Sequence, residues 1–454
     1  MASNEVKIER LVSLDAFRGM TIAAMILVNN PGTSPVYAPL EHAEWHGLTP
    51  TDWIFPFFLF IVGVAIPISL GGNPTGREGA HSRKGMYVKI TLRSASIFAL
   101  GLAISVLPFF QFTTTNAPEF LELLTWLVFA AALLLLLLRN FKAAAILTGV
   151  GILGIAVMNV AGYNVVPYNF GTMRVFGVLQ RIAICYLVTS FIFLHTNWKQ
   201  QSGIAVALLL GYWLLMTAIP VPGCEVTTFN DKACNLAAYI DRFILGENHI
   251  WRGGKVYDPE GILSTLPAIA TTISGVLAGT WLVGTRAASL CMPDNLAEVD
   301  VTTRRLAACV PIFFFGTILV ALGWIWNSYF PINKSLWTSS YVVVTTGLAL
   351  LVFGCCYWLT DIKGYKRWAW PFVVFGVNAL ALFVFSGIFA RMMSGYKVIN
   401  LQGQTVSIQK WVVDYIFLSL FQPINASLAY AISFILFWLF LMWLLYRKRL
   451  FVKV

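Results

Sequence analysis

Charge is scarce in this chain: Asp, Glu, Lys and Arg make up 11% of its 454 residues. A soluble domain carries roughly 25%, enough to cover its exterior with groups that water solvates. Half that fraction excludes a water-facing globule. Period-2 alternation is also missing, which excludes a transmembrane barrel. The opening MASNEVKIERLVSLDAFRGM stays charged through Arg18 and has no small-residue cleavage site, so a removable signal peptide is not expected and the first span is retained. There is no Walker-type loop, no Cys/His cluster with zinc spacing, no sustained repeat, no low-complexity tract and no appended soluble domain. The run Gly149–Gly154 has the form G-x-G-x-x-G, but it lies inside an apolar stretch. A dinucleotide site needs a preceding strand and a helix start, so close helix packing is the expectation there.

What the chain has instead is apolar length. Hydrophobic residues make up 58% of it, mean hydropathy is +0.75, and the runs approach the ~20 residues that cross a bilayer core. Each backbone polar group must be satisfied within its own segment at that depth, so the fold class expected is all-α, a polytopic integral membrane bundle. Twelve spans are predicted, near 12–29, 52–71, 90–109, 120–138, 142–160, 176–195, 203–220, 262–284, 306–326, 339–360, 370–391 and 428–446. The stretch 391–427, with WVVDYIFLSLF, reads as a short surface or re-entrant helix. The whole chain, 1–454, reads as one transmembrane domain, with a long outer loop at 221–261.

The net charge of +11 does not indicate nucleic acid, because the cations sit at span ends: Arg83, Lys84, Lys89 and Arg93, then Arg447, Lys448, Arg449 and Lys453. That is the positive-inside pattern, and it places both termini in the cytoplasm. Inner loops hold Arg77 to Arg93, Arg139 and Lys142, Lys199, Arg286 to Arg305, and Lys363 to Arg367. The first outer loop, 30–51, has no Lys or Arg and carries Glu41 and Glu44. Arg174, a cation on the outer side, is one of the weak links in this pattern. Cys224 and Cys234, ten positions apart in the long outer loop, are a disulfide candidate in an oxidising compartment. Cys185, Cys291, Cys309, Cys355 and Cys356 read as small apolar fillers.

Polar residues concentrate around the first outer loop, in VNN and LEHAEWHGLTPTDWIF. Asn29 and Asn30 close the first helix, His42, Glu44, Trp45 and His46 fill the loop, and Asp52 opens the second helix beside Trp53. Titratable groups near membrane depth face cavities, pair, or serve a function, and histidine moves protons near neutrality. Each also has a structural reading: Asp52 as a helix cap, Trp45 and Trp53 as interfacial anchors, His42 as a solvated loop residue. His42 and His46 have the spacing of two metal ligands on one helix face, but Gly47 and Pro50 oppose a continuous helix and no third ligand is evident. No metal is expected. Gln180 and Arg181 open the sixth span, Asp258 and Glu260 precede the eighth in YDPEG, Lys334 follows Asn333 in PINKSLW, and Asn378 is buried in FGVNALALF. Arg181 and Asp258 are expected near the outer surface, where they either line one site with His42 or pair locally.

The ordered motifs RLVSLDAFRG, VNN, LEHAEWHGLTPTDWIFPFFLFIVG, GVLQR, PVPGC, AAYIDRFILG, YDPEGIL, PINKSLWTSSYV and YRKRLF run over nearly the whole chain. Together they resemble the heparan-alpha-glucosaminide N-acetyltransferase family of transmembrane acyltransferases. The resemblance implies transfer of an acetyl group from cytosolic acetyl-CoA, as co-substrate, to the amine of a glucosamine-type acceptor across the membrane. It matches the family's catalytic histidine to His42, its functional asparagine to Asn29, and implies a homodimer. His46 stands where the family pattern has Asn. Two departures are evident. The chain starts at the SLDAFRG helix, without the animal enzyme's luminal domain and extra first helix, and it carries an additional hairpin at about 120–160. That compact form implies a bacterial inner-membrane protein whose outer side is periplasm.

In the mechanism this implies, His42 is the base for the amine or the first acetyl acceptor, and Asn29 donates to the oxyanion. Glu44 or Asp52 orients the imidazole, Arg181 and Lys334 meet phosphates or an acidic sugar, and Asp258 and Glu260 meet the amine or sugar hydroxyls. The alternative is a secondary transporter of glucosamine or N-acetylglucosamine, for which the polar residues Asp52 and Asn378 would be waypoints. Against it, the sequence shows no inverted repeat and no paired broken helices.

Overall fold

The computed structural model describes residues 11–71, 79–112, 116–290 and 301–452. Arg77, Cys291 and Lys453 lie outside them. Among the described residues there are fifteen α-helices. They are α1 Val12–Asn29, α2 Ile54–Leu70, α3 Gly79–Val106, α4 Glu119–Leu137, α5 Phe141–Val160, α6 Val178–His195, α7 Trp198–Ala218, α8 Leu236–Leu245, α9 Thr265–Leu290, α10 Val301–Trp326, α11 Ser339–Tyr357, α12 Trp370–Val377, α13 Ala379–Gly395, α14 Ile408–Val412 and α15 Pro423–Arg447. Among the described residues, eleven helices are long and apolar enough to cross a membrane, and the broken pair α12–α13 brings the number to twelve. The chain is a helical integral membrane protein.

Most expected spans coincide with helices, and the differences have local causes. The span expected at 370–391 is instead two helices broken at Asn378, whose backbone is non-helical at φ −118°, ψ 30°. The side chain of Asn378 donates to the Leu450 carbonyl at 3.1 Å and accepts from Val452 N at 2.9 Å. The last span starts at Pro423 rather than 428, because a proline in the first turn has no orphan donor to satisfy. WVVDYIFLSLF becomes the short α14 followed by a π-turn at Val413–Phe417. Gly149–Gly154 lies within α5, and of its three glycines only Gly151 meets a neighbour, Phe129 and Val128 of α4.

The helices group into two compact units. The first comprises the described residues of Met1–Thr21, His42–Ala99 and Arg174–Gly376. Its centre is α2. One side packs Phe57, Phe60 and Val64 with Phe17, Phe353 and Tyr357, and the other packs Phe55 and Leu59 with Ile269, Trp337 and Tyr341. No hydrophobic drive distinguishes helix from lipid here, so close backbone approach supplies the cohesion. It occurs along the α2–α9 seam: a Cβ on Gly63 would lie 2.0 Å from the Thr272 carbonyl oxygen, and one on Gly275 would lie 2.1 Å from that of Phe60.

The second unit comprises Ile22–Glu41, Leu100–Met173 and the described residues of Val377–Val454. It holds the α4–α5 hairpin, α13, α14 and α15, and two short antiparallel ribbons, Phe110–Gln111 with Val166–Pro167 and Lys397–Ile399 with Thr405–Ser407.

Replacing Gly63 by Val forces α2 and α9 apart. The expected loss is about 1–3 kcal/mol, the usual size of an overpacking penalty, read as a lower thermal midpoint in detergent. The same change at Gly154, whose Cβ would meet open space, is expected to leave the midpoint unchanged.

Candidate active site

The site residues of the first unit gather on the loops that join its helices. The first is Asp52, in the turn that starts α2. Thr49 is the N-cap of a 3₁₀ turn, Pro50–Trp53, and Asp52 is its N3 residue in a capping box. So Asp52 is not the cap itself, as the proline spacing suggests, but the acidic residue that answers the cap. Its Oδ2 accepts from Thr49 N at 3.1 Å, Thr49 Oγ1 at 3.0 Å and Ala43 N at 3.2 Å. These bonds leave Oδ1 pointing at the imidazole of His42, with Nδ1 at 2.7 Å. The carboxylate is 1% exposed and the imidazole 52%. A buried acceptor therefore orients a ring whose other edge is open. Tyr341 closes the base of the arrangement by donating its hydroxyl to the Asp52 carbonyl at 2.6 Å.

Lys334 completes this group. Its Nζ lies 2.9 Å from His42 Nδ1, 3.3 Å from Nε2 and 3.4 Å from Asp52 Oδ1. The lysine is held by a tight turn. Asn333 Oδ1 accepts from Leu336 N at 2.9 Å, and Trp337, at φ +52°, donates its N–H to the Lys334 carbonyl at 3.1 Å. A left-handed tryptophan costs of order 1–3 kcal/mol. Burial offsets this: Trp337 is 1% exposed and packs edge-on against both Phe55 and Tyr341. Burial lowers the pKa of Lys334 from the ordinary lysine value, although Asp52 and Glu260 both pull it upward.

Asp258 pairs locally. Arg174 takes it with both Nε, at 2.9 Å, and Nη2, at 2.5 Å, and the same guanidinium reaches Glu260. Burial works against that guanidinium, yet the two carboxylates hold its pKa above the ordinary arginine value. Arg174 is thus a site residue that sequence reasoning missed; its one signal was its place as a cation on the outer side. Asp241 of α8 orders the same segment, accepting from Ile262 N at 2.9 Å and Asp258 N at 3.3 Å. Burial, reinforced by the charge of Asp258, pushes its pKa up to about 6 against those two bonds.

Arg181 is fully buried over the Trp337 ring, 5.0 Å from its centroid. It donates to the Gly261 carbonyl at 3.1 Å and to Ser264 Oγ, so it braces the start of α9. Gln180 is buried beside it. Trp45 is half-buried, donates to the Phe229 carbonyl at 2.9 Å, and meets Tyr257 edge-on. Glu44 is exposed, and it is Asp52 that contacts the imidazole. Cys224 and Cys234 are joined, with Cα atoms 5.8 Å apart. Asn29, exposed at the end of α1, and Asn378, bonded to the C-terminal backbone, belong to the second unit. Among the described residues, no group of three or more His, Cys, Asp or Glu side chains is placed to hold a metal ion.

Arg174→Met leaves two adjacent carboxylates without their cation. Breaking a buried pair this way costs about 3–5 kcal/mol. A carboxyl whose folded pKa is raised destabilises the fold at neutral pH and ceases to do so once protonated. The deficit in thermal midpoint should therefore shrink as the pH falls towards about 5. A deficit that stays constant across that range would separate Arg174 from the charge of its partners.

The sequence family described as heparan-alpha-glucosaminide N-acetyltransferase, catalytic, matches residues 10–161. That stretch contains the His42 loop, Asp52 and the α4–α5 hairpin. The heparan-alpha-glucosaminide N-acetyltransferase of Homo sapiens is 26% identical over 425 residues, covering 84% of this chain and 53% of the relative. That of Mus musculus is 25% identical over 418 residues, covering 83% and 53%. The chain spans about half the length of these curated relatives. The family match thus carries the histidine loop, and the chain is similar along most of its length to the two heparan-alpha-glucosaminide N-acetyltransferases.

Proposed function

We propose that this protein transfers an acetyl group from acetyl-CoA to the amine of a glucosamine-type sugar, with His42 at the reacting atoms. The observation that carries this reading is the contact of 2.7 Å between His42 Nδ1 and the buried Asp52. A carboxylate there keeps the proton on Nδ1 and leaves Nε2, 3.3 Å from Lys334 Nζ, unprotonated on the exposed edge of the ring, the arrangement of a general base.

In direct transfer, Nε2 accepts a proton from the sugar amine as the amine nitrogen attacks the thioester carbonyl. A C–N bond forms and the carbonyl becomes an oxyanion. As that intermediate collapses, the C–S bond breaks and the sulfur takes the proton back from Nε2. The products are the N-acetyl sugar and the CoA thiol. In a two-step variant Nε2 itself attacks the carbonyl, the C–S bond breaks and CoA leaves as its thiolate; the amine then attacks the acetyl carbon, the C–Nε2 bond breaks, and the proton the amine loses is taken up by the thiolate. Lys334 suits either route: its ammonium lies 3.3 Å from Nε2, close to where the oxyanion develops, and a donor so placed lowers the barrier by roughly 3–4 kcal/mol. Arg174 is occupied by Asp258 and Glu260, and Arg181 is fully buried over the Trp337 ring. That leaves Lys334 as the cation of this cluster facing the reaction.

Detergent-purified protein is therefore expected to acetylate glucosamine from acetyl-CoA. His42→Ala and Asp52→Asn should each lower kcat by about 10²–10⁴-fold, and Glu44→Gln should change it little. Sugar uptake into proteoliposomes without acetyl-CoA, coupled with no acetyl transfer to any amino sugar, would instead establish transport.

The pH profile tests Lys334 separately. A lysine with a lowered pKa loses its charge earlier than a free one, so the rate should fall on the alkaline side well below pH ~10.4. In Lys334→Arg, which stays charged, that fall should move to higher pH. An alkaline limb unmoved by the substitution would assign it to another group.

A further inference from the structure

The segment that carries His42 has no regular structure of its own: residues 42–47 form neither helix nor strand. Its shape is imposed from outside, and two of its side chains are used for that purpose. Trp45 Nε1 donates to the Phe229 carbonyl at 2.9 Å, and His46 Nε2 meets Asn230 Oδ1 at 2.9 Å. Both acceptors lie on the short segment closed by the Cys224–Cys234 bond. Lys232, from the same segment, sits over the Trp45 ring at 5.6 Å. Across from it, Gly47 N donates to the Ile332 carbonyl at 2.9 Å, and Asn333 Nδ2 lies 3.4 Å from His46 Nδ1.

The chemistry of His46 is consistent with this geometry. With Nε2–H donated to Asn230, Nδ1 is the acceptor for the Asn333 amide, so the ring bridges two loops only while it is neutral. The disulfide in turn orders the acceptors. Bonds from Thr228 N to the Cys234 carbonyl at 3.0 Å and from Arg242 Nη2 to the Ala233 carbonyl at 2.9 Å hold the closed segment in one conformation. Without the cross-link the Phe229 carbonyl and the Asn230 amide regain the freedom of an open loop.

We infer that the disulfide-closed segment is a positioning clamp for His42, acting through Trp45 and His46, which makes those two side chains positioning residues rather than substrate contacts. This rests on the reading of His42 as the group at the reacting atoms. The clamp keeps the imidazole against Asp52, so its loss lowers the fraction of time the ring is correctly aimed. That loss appears in kcat and leaves the KM for acetyl-CoA unchanged.

The test opens the segment in two independent ways. Folded full-length protein is treated with dithiothreitol, with thiol alkylation and mass spectrometry confirming two free thiols. Separately, Trp45→Phe keeps an aromatic side chain and removes the N–H donor together with the pyrrole part of the indole. In both, hydrogen exchange of the amides of residues 42–49 should accelerate by about tenfold or more. The kcat should fall by about 10–100-fold, with the thermal midpoint of the remainder retained. His46→Asn, which still offers one donor and one acceptor, should restore most of the kcat that His46→Leu loses. Exchange unchanged in residues 42–49 after confirmed reduction overturns the clamp, as does faster exchange with full kcat. If the wild type acetylates no amino sugar, the reading of His42 fails, and the exchange measurement still decides whether the segment holds the loop.

Discussion

A single buried carboxylate organises the outer end of the first unit. Asp52 collects Thr49, Ala43, His42 and Lys334 around one side chain that is 1% exposed. A charge out of water at the mouth of a membrane helix is tolerable only when its acceptor capacity is filled. Asp52 meets that condition by closing a capping box with one oxygen and holding the histidine with the other. The bonds that start α2 are thus the same bonds that aim the imidazole, and neither can be altered without the other. This is why the helix begins where it does and why the site is there.

The rest of the first unit supplies a base that does not move. The α2–α9 glycine seam brings backbone against backbone, so α2 cannot slide or rotate without collision. Trp337 joins this platform to the lysine turn. It lies beneath Arg181, edge-on to Phe55 and Tyr341, and its N–H bond to the Lys334 carbonyl closes the turn that carries the lysine. The cation and the imidazole come from segments nearly three hundred residues apart, and they meet because both are anchored to the same aromatic layer.

The spans were legible because hydrocarbon permits few solutions: an apolar run of about twenty residues has to be helix, and the runs are long. The loop carrying His42 was legible as a polar anomaly between two such runs. The partner of the imidazole was not. Glu44 and Asp52 were equal candidates by type, and only the Thr49–Pro50 turn decides between them by aiming Oδ1 at the ring. Arg181 and Asp258 were placed together by depth alone, yet Arg174, on the irregular segment before α6, pairs with the carboxylates, while Arg181 lies within the helix against Trp337. Asn378 was read as a polar waypoint in a continuous span, whereas its amide sits at a helix break and satisfies the backbone of the returning tail at Leu450 and Val452. Long-range partners of this kind leave no periodicity to detect.

The absence of regular structure in residues 42–47 has an evolutionary consequence. A helix or strand stores its geometry in local hydrogen bonds, so its catalytic groups travel with it when it is copied or exchanged. Here the geometry is stored in other loops, the disulfide-closed segment and the Asn333–Thr338 turn. The histidine peptide by itself therefore encodes almost none of its own shape. Variation in any of the three segments is answerable to the other two, so the three can change only as a set rather than one position at a time.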